Sequence, residues 1–285
     1  MIIVHTIQEI RKHVRDLRAA GKSIGYVPTM GYLHEGHLSL IRSAKEQSDA
    51  VVMSIFVNPL QFGPNEDFER YPRDLKRDAE VAGAAGCDIL FAPSVEEMYP
   101  RGDGKVLTTV DVEEVTHQLC GASRPGHFRG VATVVSKLFN IILPDKAFFG
   151  MKDAQQVAVL QTMVDDLNIP VEIVPCQTVR EPDGLAMSSR NVFLTDEQRQ
   201  QALVLSRSLK AAEAAVAAGE RDVLQLKRLV REMIEAQPLA DIDYVEIVNF
   251  RDLATILTIE QPALLALAVR FGKTRLIDNT VLAGR

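Results

Sequence analysis

The sequence predicts an α/β protein: a doubly wound parallel sheet, followed by a second, smaller α+β domain. Three observations carry this. Short apolar runs bounded by turn residues alternate with helix-period stretches as far as Cys176. Past Cys176 the alternation gives way to helices followed by three strand-like runs. The 285 residues, 47% hydrophobic and 25% charged, are enough for two cores.

In chain order, Thr6 and Glu9 stand at capping-box spacing, and Ile7, Ile10, Val14 and Leu17 recur at helical intervals, which predicts an opening amphipathic helix. Gly21 breaks it, and residues 23–28 form a first strand. A helix carrying Leu38, Ile41 and Ala44 and a buried strand over 51–57 complete one βαβ unit. The alternation continues with helices near 67–83, 130–143 and 153–167 and strands at 88–92, 147–149 and 171–175. The boundary is set at 1–176 and 177–285. The second part opens with a polar loop to Asn191, then two helices rich in Ala, Leu, Lys and Glu. Strands at 242–248, 264–271 and 275–278 follow, the last two joined by a hairpin at Gly272-Lys273.

Composition removes several classes. With 32 Lys+Arg against 38 Asp+Glu the formal net charge is -6, so no global field attracts a polyanion, and nucleic acid is not an expected partner. Cys87, Cys120 and Cys176 are odd in number and widely spaced, which predicts reduced thiols rather than zinc or a redox pair. No signal peptide and no apolar run near the roughly 20 residues of a bilayer span is evident. A cytoplasmic protein with no membrane partner is the expectation.

The chemistry concentrates where the first strand hands over to a helix, in Pro28-Thr29-Met30-Gly31-Tyr32-Leu33-His34-Glu35-Gly36-His37. Backbone N–H groups at a helix start attract anions, Gly36 permits close approach, and His34 and His37 lie three positions apart. Imidazoles there can donate hydrogen bonds to phosphate oxygens as charge develops. A metal site and a capped helix start with surface histidines remain open alternatives, although zinc proteases space their histidines by four and no third ligand is evident.

His34-Glu35-Gly36-His37 resembles the His-x-Gly-His signature of the nucleotidyltransferase superfamily that includes class I aminoacyl-tRNA synthetases. PTMGYLHEGHLSLI from Pro28, SIFVNPLQFGPNEDFERYPR from Ser54, RPGHFRGVATVVSKLFNI from Arg124, FFGMKDAQQ from Phe148 and MSSRN from Met187 together resemble the pantothenate synthetase family, in family order from Pro28 to Asn191. The resemblance implies a Rossmann-like fold and an ATP-dependent, AMP-forming ligase that joins pantoate to β-alanine through a pantoyl adenylate. It also implies a homodimer. Alternatives are a nucleotidyltransferase that leaves the nucleotide on its product, and a nucleotide-sensing module without chemistry. The length leaves no evident anticodon-binding domain, which disfavours a transfer-RNA synthetase.

Residue by residue, the resemblance implies that Pro28, Met30, Gly31, His34, Gly36 and His37 form the ATP loop. Gly150, Met151, Lys152 and Asp153 follow a later strand, with Lys152 neutralising phosphate and Asp153 accepting from ribose hydroxyls. Val179, Met187, Ser188, Ser189 and Arg190 belong to the mobile phosphate loop, which carries Arg where the wider superfamily has a second Lys, as expected in this family. His37, His34, Lys152 and Arg190 are the expected catalytic set. Gln61 and Gln155 match the pantoate-binding glutamines, Asn58, Arg124 and His127 are expected at the pantoate and β-alanine pocket, and Tyr71, also in a matching run, is expected to border the substrate or phosphate pocket. Asn58-Pro59 as a simple turn, and Arg124 and His127 as partners of local acids, stay open. Residues 62–73 are expected to form a lid. ATP is expected with Mg2+ held mostly by phosphates and water, without an organic prosthetic group; no protein metal ligand is assigned, with Asp78 a candidate.

Overall fold

A computed structural model of the chain describes residues 1–63, 68–101 and 106–283. The chain divides into two compact units. The first comprises Met1–Glu113, Arg124–Gly150 and Val159–Gln177; the second comprises Glu114–Ser123, Met151–Ala158 and Thr178–Arg285. Two segments ahead of residue 177, Glu114–Ser123 and Met151–Ala158, thus belong to the second unit.

The first unit runs β1 (Ile2–Val4), α1 (Ile7–Ala19), β2 (Ile24–Thr29), α2 (Glu35–Gln47), β3 (Ala50–Ile55), α3 (Leu75–Ala85), β4 (Ile89–Phe91) and the short α4 (Val95–Met98). The short α5 (Cys120–Ser123) of the second unit intervenes in the chain before α6 (His127–Ile142) and β5 (Lys146–Gly150). Then α7 (Ala154–Asp166) leads to β6 (Glu172–Cys176). The six strands are parallel, in the order β1-β4-β3-β2-β5-β6. Successive strand residues face opposite sides. On β2, Tyr26 meets Phe139 of α6 edge-on at 6.3 Å, while Val27 packs with Leu40 and Ile41 of α2. Both faces are therefore covered, which is why Val51, Val52 and Met53 are continuously apolar and fully buried.

The winding reverses beside β2: β3 and β4 lie to one side, β5 and β6 to the other. β2 pairs with β3 through Thr29 but with β5 only at Gly25 and Tyr26. The C-terminal end of β2 is thus free of its β5 ladder, which tolerates Pro28 in a central strand and marks the switch point at which such sheets bind ligands.

The second unit contains α8 (Asp196–Ala202), α9 (Val204–Ala217), α10 (Val223–Glu235) and an antiparallel sheet β7 (Ala240–Asn249), β8 (Ala263–Phe271) and β9 (Thr274–Leu282) in that order. Leu205, Leu209, Leu226, Val230, Val245, Leu265, Leu267 and Val269 form its core. Along β9, Leu276 and Leu282 turn into this core. Arg275 and Asn279 face the other way, onto Cys120 and onto the backbone of Met151 and Lys152, respectively. Gln155 then ties the two segments together, accepting from the Cys120 amide at 2.9 Å and donating to the carbonyls of Val115 and Gln118. These bonds explain why both segments join this unit.

Several boundaries shift. The helix expected from residue 67 begins at Leu75, because Asp74 is its cap, accepting from the Arg77 amide at 3.1 Å; Asp67 itself lies outside the described residues. The two expected helices past Asn191 are three, since Leu203 separates α8 from α9. The last strand extends well beyond 275–278, and the hairpin forms at Gly272-Lys273 with Phe271 opposite Thr274. β1 was not anticipated: it is a three-residue edge strand with only Val4 buried, so it leaves almost no pattern.

Candidate active site

The loop after β2 is built around a buried carboxylate. Gly31 takes φ 85° and Tyr32 φ 52°, which turns two successive amides inward. Asp78 of α3, 1% exposed, accepts from the Tyr32 amide at 2.7 Å and from the Leu33 amide at 2.8 Å, with Arg77 beside it at 3.4 Å. A Cβ at Gly31 would stand 2.9 Å from Ile55 and 3.1 Å from Asp78, so only glycine fits.

This clamp delivers His34 as the N-cap of α2. Its Nδ1 accepts from the Gly36 amide at 3.2 Å, and the Nδ1 of His37 accepts from the His34 amide at 3.3 Å. The rings lie 4.1 Å apart and tilted by 34°. An Nδ1 that accepts a backbone hydrogen carries no proton, so in each ring the hydrogen sits on Nε2, the atom that can donate to an oxyanion. The helix start thus presents two oriented donors alongside its amide ends.

A second cluster of the first unit surrounds Gln61. Asn58, 1% exposed, has every polar valence occupied. Its Oδ1 accepts from the Tyr99 hydroxyl at 2.7 Å and the Leu60 amide at 3.3 Å, and its Nδ2 donates to Gln61 Oε1 at 3.0 Å and the Gly130 carbonyl at 3.1 Å. Burial pushes the Tyr99 phenol up, keeping it a hydrogen-bond donor. Gln61 Nε2 points at Met30 Sδ, 3.5 Å away. His127 Nδ1 meets the Gln61 carbonyl at 2.9 Å and its Nε2 faces Arg124 at 3.0 Å. Asn58, Arg124 and His127 therefore hold the turn that carries Gln61. A Cβ at Gly130 would come within 2.4 Å of the Leu60 carbonyl oxygen, so that turn depends on a glycine in α6. Of the expected lid, Pro64 to Asp67 lie outside the described residues. Around them Phe62 packs on Phe68 and Tyr71, and Arg73 donates to the carbonyls of Tyr71 and Phe68.

In the second unit, Met151–Asp153 forms a 3-10 turn directly after Gly150, the last residue of β5. Lys152 Nζ lies 3.9 Å from Asp153, too far for a tight pair. The chain 179–187 is a small hairpin: Arg180 bridges Ala186, and the Met187 amide donates to the Val179 carbonyl at 3.0 Å. It ends in Ser188, whose Oγ caps Arg190 at 3.2 Å and starts the turn Ser189–Phe193. Arg180 pairs with Asp278 at 2.7 and 2.9 Å, and Arg199 with Glu181 and Asp183. Gln155, a candidate substrate ligand, has both amide hydrogens on the carbonyls of Val115 and Gln118.

Sequence patterns gave Asp78 no role as a clamp, and assigned no role to Tyr99, Gly130, Arg180, Asp278 or Asn279. Only Gly130, a glycine inside a strongly apolar helix, left a local signal. Among the described residues no group of three or more His, Cys, Asp or Glu could hold a metal ion, and Asp78 is occupied by amides.

A doubly wound sheet with a histidine-bearing helix start at its switch point defines a nucleotide-handling α/β protein. Residues 2–281 match the family model described as pantoate-beta-alanine ligase. A curated pantothenate synthetase from Pelotomaculum thermopropionicum is 63% identical over 282 residues, 99% of each chain. The crystal structure of pantothenate synthetase from Thermus thermophilus is 48% identical with a TM-score of 0.91, covering 98% of this chain and 99% of that one. A pantoate-beta-alanine ligase from Francisella tularensis, complexed with beta-gamma ATP and beta-alanine, is 36% identical with a TM-score of 0.79, covering 99% and 97%. The chain belongs to the pantoate–β-alanine ligase family. It is an ATP-dependent ligase of pantothenate biosynthesis.

Proposed function

We propose that the chain joins pantoate to β-alanine through a pantoyl adenylate, with the roles of its side chains as follows. The pantoate carboxylate attacks the α-phosphorus of ATP and the bond to pyrophosphate breaks. The β-alanine amine then attacks the acyl carbon and AMP leaves. No protein nucleophile is needed, so the protein contributes position, charge and exclusion of water.

The observation that carries this reading is the paired orientation of His34 and His37, whose Nδ1 atoms are both fixed by backbone amides. The group each ring then donates with is Nε2–H, of the kind that phosphate oxygens accept from, where charge grows as pyrophosphate departs. Lys152 and Arg190 supply cations to the phosphates, and Ser188 and Ser189 supply hydroxyls. Pro28, Met30, Gly31 and Gly36 shape the nucleotide loop, Gly150, Met151 and Val179 border the nucleotide, Met187 carries the chain into Ser188, and Asp153 accepts from the ribose. Gln61 orients pantoate. Asn58, Arg124 and His127 act by holding Gln61, and Gln155 acts through the segment Glu114–Ser123. Mg2+ enters with ATP, held mostly by phosphates and water, as suits a small cation that gives up its waters reluctantly.

The test is pyrophosphate release from ATP and Mg2+ with pantoate, before and after β-alanine. A pyrophosphate burst with pantoate alone, then sustained turnover yielding AMP and pantothenate, is expected. No pantoate-dependent pyrophosphate overturns the reading. A cytoplasmic homodimer completes the proposal; a single sedimenting species near 31.5 kDa removes the dimer.

A further inference from the structure

Strand β9 places two consecutive buried polar residues, Asp278 at 2% and Asn279 at 8% exposure. Side chains with hydrogen-bonding groups are costly inside a sheet unless they are paired. Asp278 takes the Arg180 guanidinium, which also donates to the Gly184 carbonyl and so fastens the hairpin ahead of Ser188. This pairing, against the opposing effect of burial, raises Arg180 above the ordinary arginine range. Asn279 points to the opposite side. Its single Nδ2 donates to the Met151 carbonyl at 2.9 Å and the Lys152 carbonyl at 2.8 Å.

Those two carbonyls belong to the peptide planes on either side of the Lys152 Cα. Fixing both planes fixes φ and ψ of Lys152, and with them the direction in which its side chain leaves the backbone. A flexible lysine gains most from a fixed stem, because its rotamer freedom otherwise opposes every contact of the ammonium. β9 is itself held along its length by β8, with Asn279 opposite Ala266, so the anchor is rigid.

We propose that Asn279 is a positioning residue for the ligase reaction, clamping the backbone of Lys152 so that its ammonium is aimed at the nucleotide phosphates. The proposal rests on the reading that Lys152 meets ATP. Asn279→Asp, nearly isosteric but without the two donors, and Asn279→Ala are compared with Lys152→Ala and with the double variant Lys152→Ala/Asn279→Ala. The readouts are kcat and KM for ATP and for β-alanine, with thermal melting as the control.

Each single variant at 279 should lower kcat/KM for ATP by about tenfold to a hundredfold, the span of a lost buried hydrogen-bond pair. The β-alanine KM should stay within about twofold, and Asn279→Ala should cost little further once Lys152 is absent. ATP kinetics unchanged in Asn279→Ala while Lys152→Ala is impaired overturns the clamp alone. Equal losses from Asn279→Ala with and without Lys152 also overturn it, because that is what a general packing role gives. Normal adenylation by Lys152→Ala overturns the assignment of Lys152, and the clamp with it. Should Asn279→Asp fail to fold, Asn279→Ser, which retains one donor, carries the same comparison and should fall between Ala and wild type.

Discussion

The loop after β2 and the turn after β5 are fastened by opposite chemistry. In the first unit a carboxylate, Asp78, accepts from the amides of Tyr32 and Leu33; in the second an amide, Asn279, donates to the carbonyls of Met151 and Lys152. The difference follows from what each segment exposes. Positive φ at Gly31 and Tyr32 turns the Tyr32 and Leu33 amides inward, where an acceptor is needed. After β5, the Met151 and Lys152 carbonyls both face Asn279, where a donor is needed. In both cases a residue on a regular element, α3 or β9, holds a short irregular segment that carries the charged or titratable side chains.

The sharpest test of the first loop is at the histidines. His37→Ala and His34→Ala should each slow adenylation by about tenfold to a thousandfold, the range for a lost transition-state donor, measured as pyrophosphate release in a single turnover. Near-normal rates in both would break the comparison, since the clamp would then hold a loop without chemical purpose. Asp78→Asn comes next. An asparagine there can accept from one amide but turns its own N–H2 toward the other, and the unmade buried hydrogen bond should remove about 1–3 kcal/mol of stability in denaturant melts. The ATP KM should rise alongside; a variant with unchanged melting and unchanged KM would show that the loop needs no carboxylate.

The smallest effect contrasts two buried cysteines. Cys120 of the second unit sits 3.2 Å from the Tyr244 hydroxyl and 3.8 Å from the Arg275 guanidinium, whereas the Cys87 sulfur of the first lies against the backbone carbonyls of Val51 and Ile89. Burial pushes the Cys87 thiol from 9.0 up to about 12. The native state then keeps a proton that the unfolded chain releases, so stability is full below the unfolded value and falls as pH rises from about 9 toward 12. At pH 8, alkylation followed by mass mapping should find Cys87 modified only on unfolding. Rapid labelling of Cys87 in the folded protein would contradict this.

How far these features were legible depends on their range along the chain. The Thr6–Glu9 capping box and the Gly272-Lys273 hairpin were readable because their partners lie a few residues apart. His34 and His37 were readable for the same reason, and the capped helix start that their spacing left open is present: the rings cap α2 through Nδ1. Asp78 lies 46 positions from Tyr32, and Asn279 lies 128 from Met151, so no local pattern announces either. The same distance hid the work of Asn58, legible as a turn residue at Pro59 but not as the partner of Tyr99 and Gly130.

By itself, the sequence determined the alternation of strands and helices, the change to a smaller α+β part ending in a hairpin, and the motif residues that mark the family. Those are written in periods of two and 3.6 residues and in contiguous runs, which local sterics and burial translate directly into elements. Tertiary structure alone decided which strands are neighbours, that Glu114–Ser123 and Met151–Ala158 belong with the second unit, and which polar residues hold the loops that carry His34, His37 and Lys152. A hydrogen bond is settled by a few tenths of an ångström between groups that the chain brings together only on folding, and no spacing along the sequence encodes that distance.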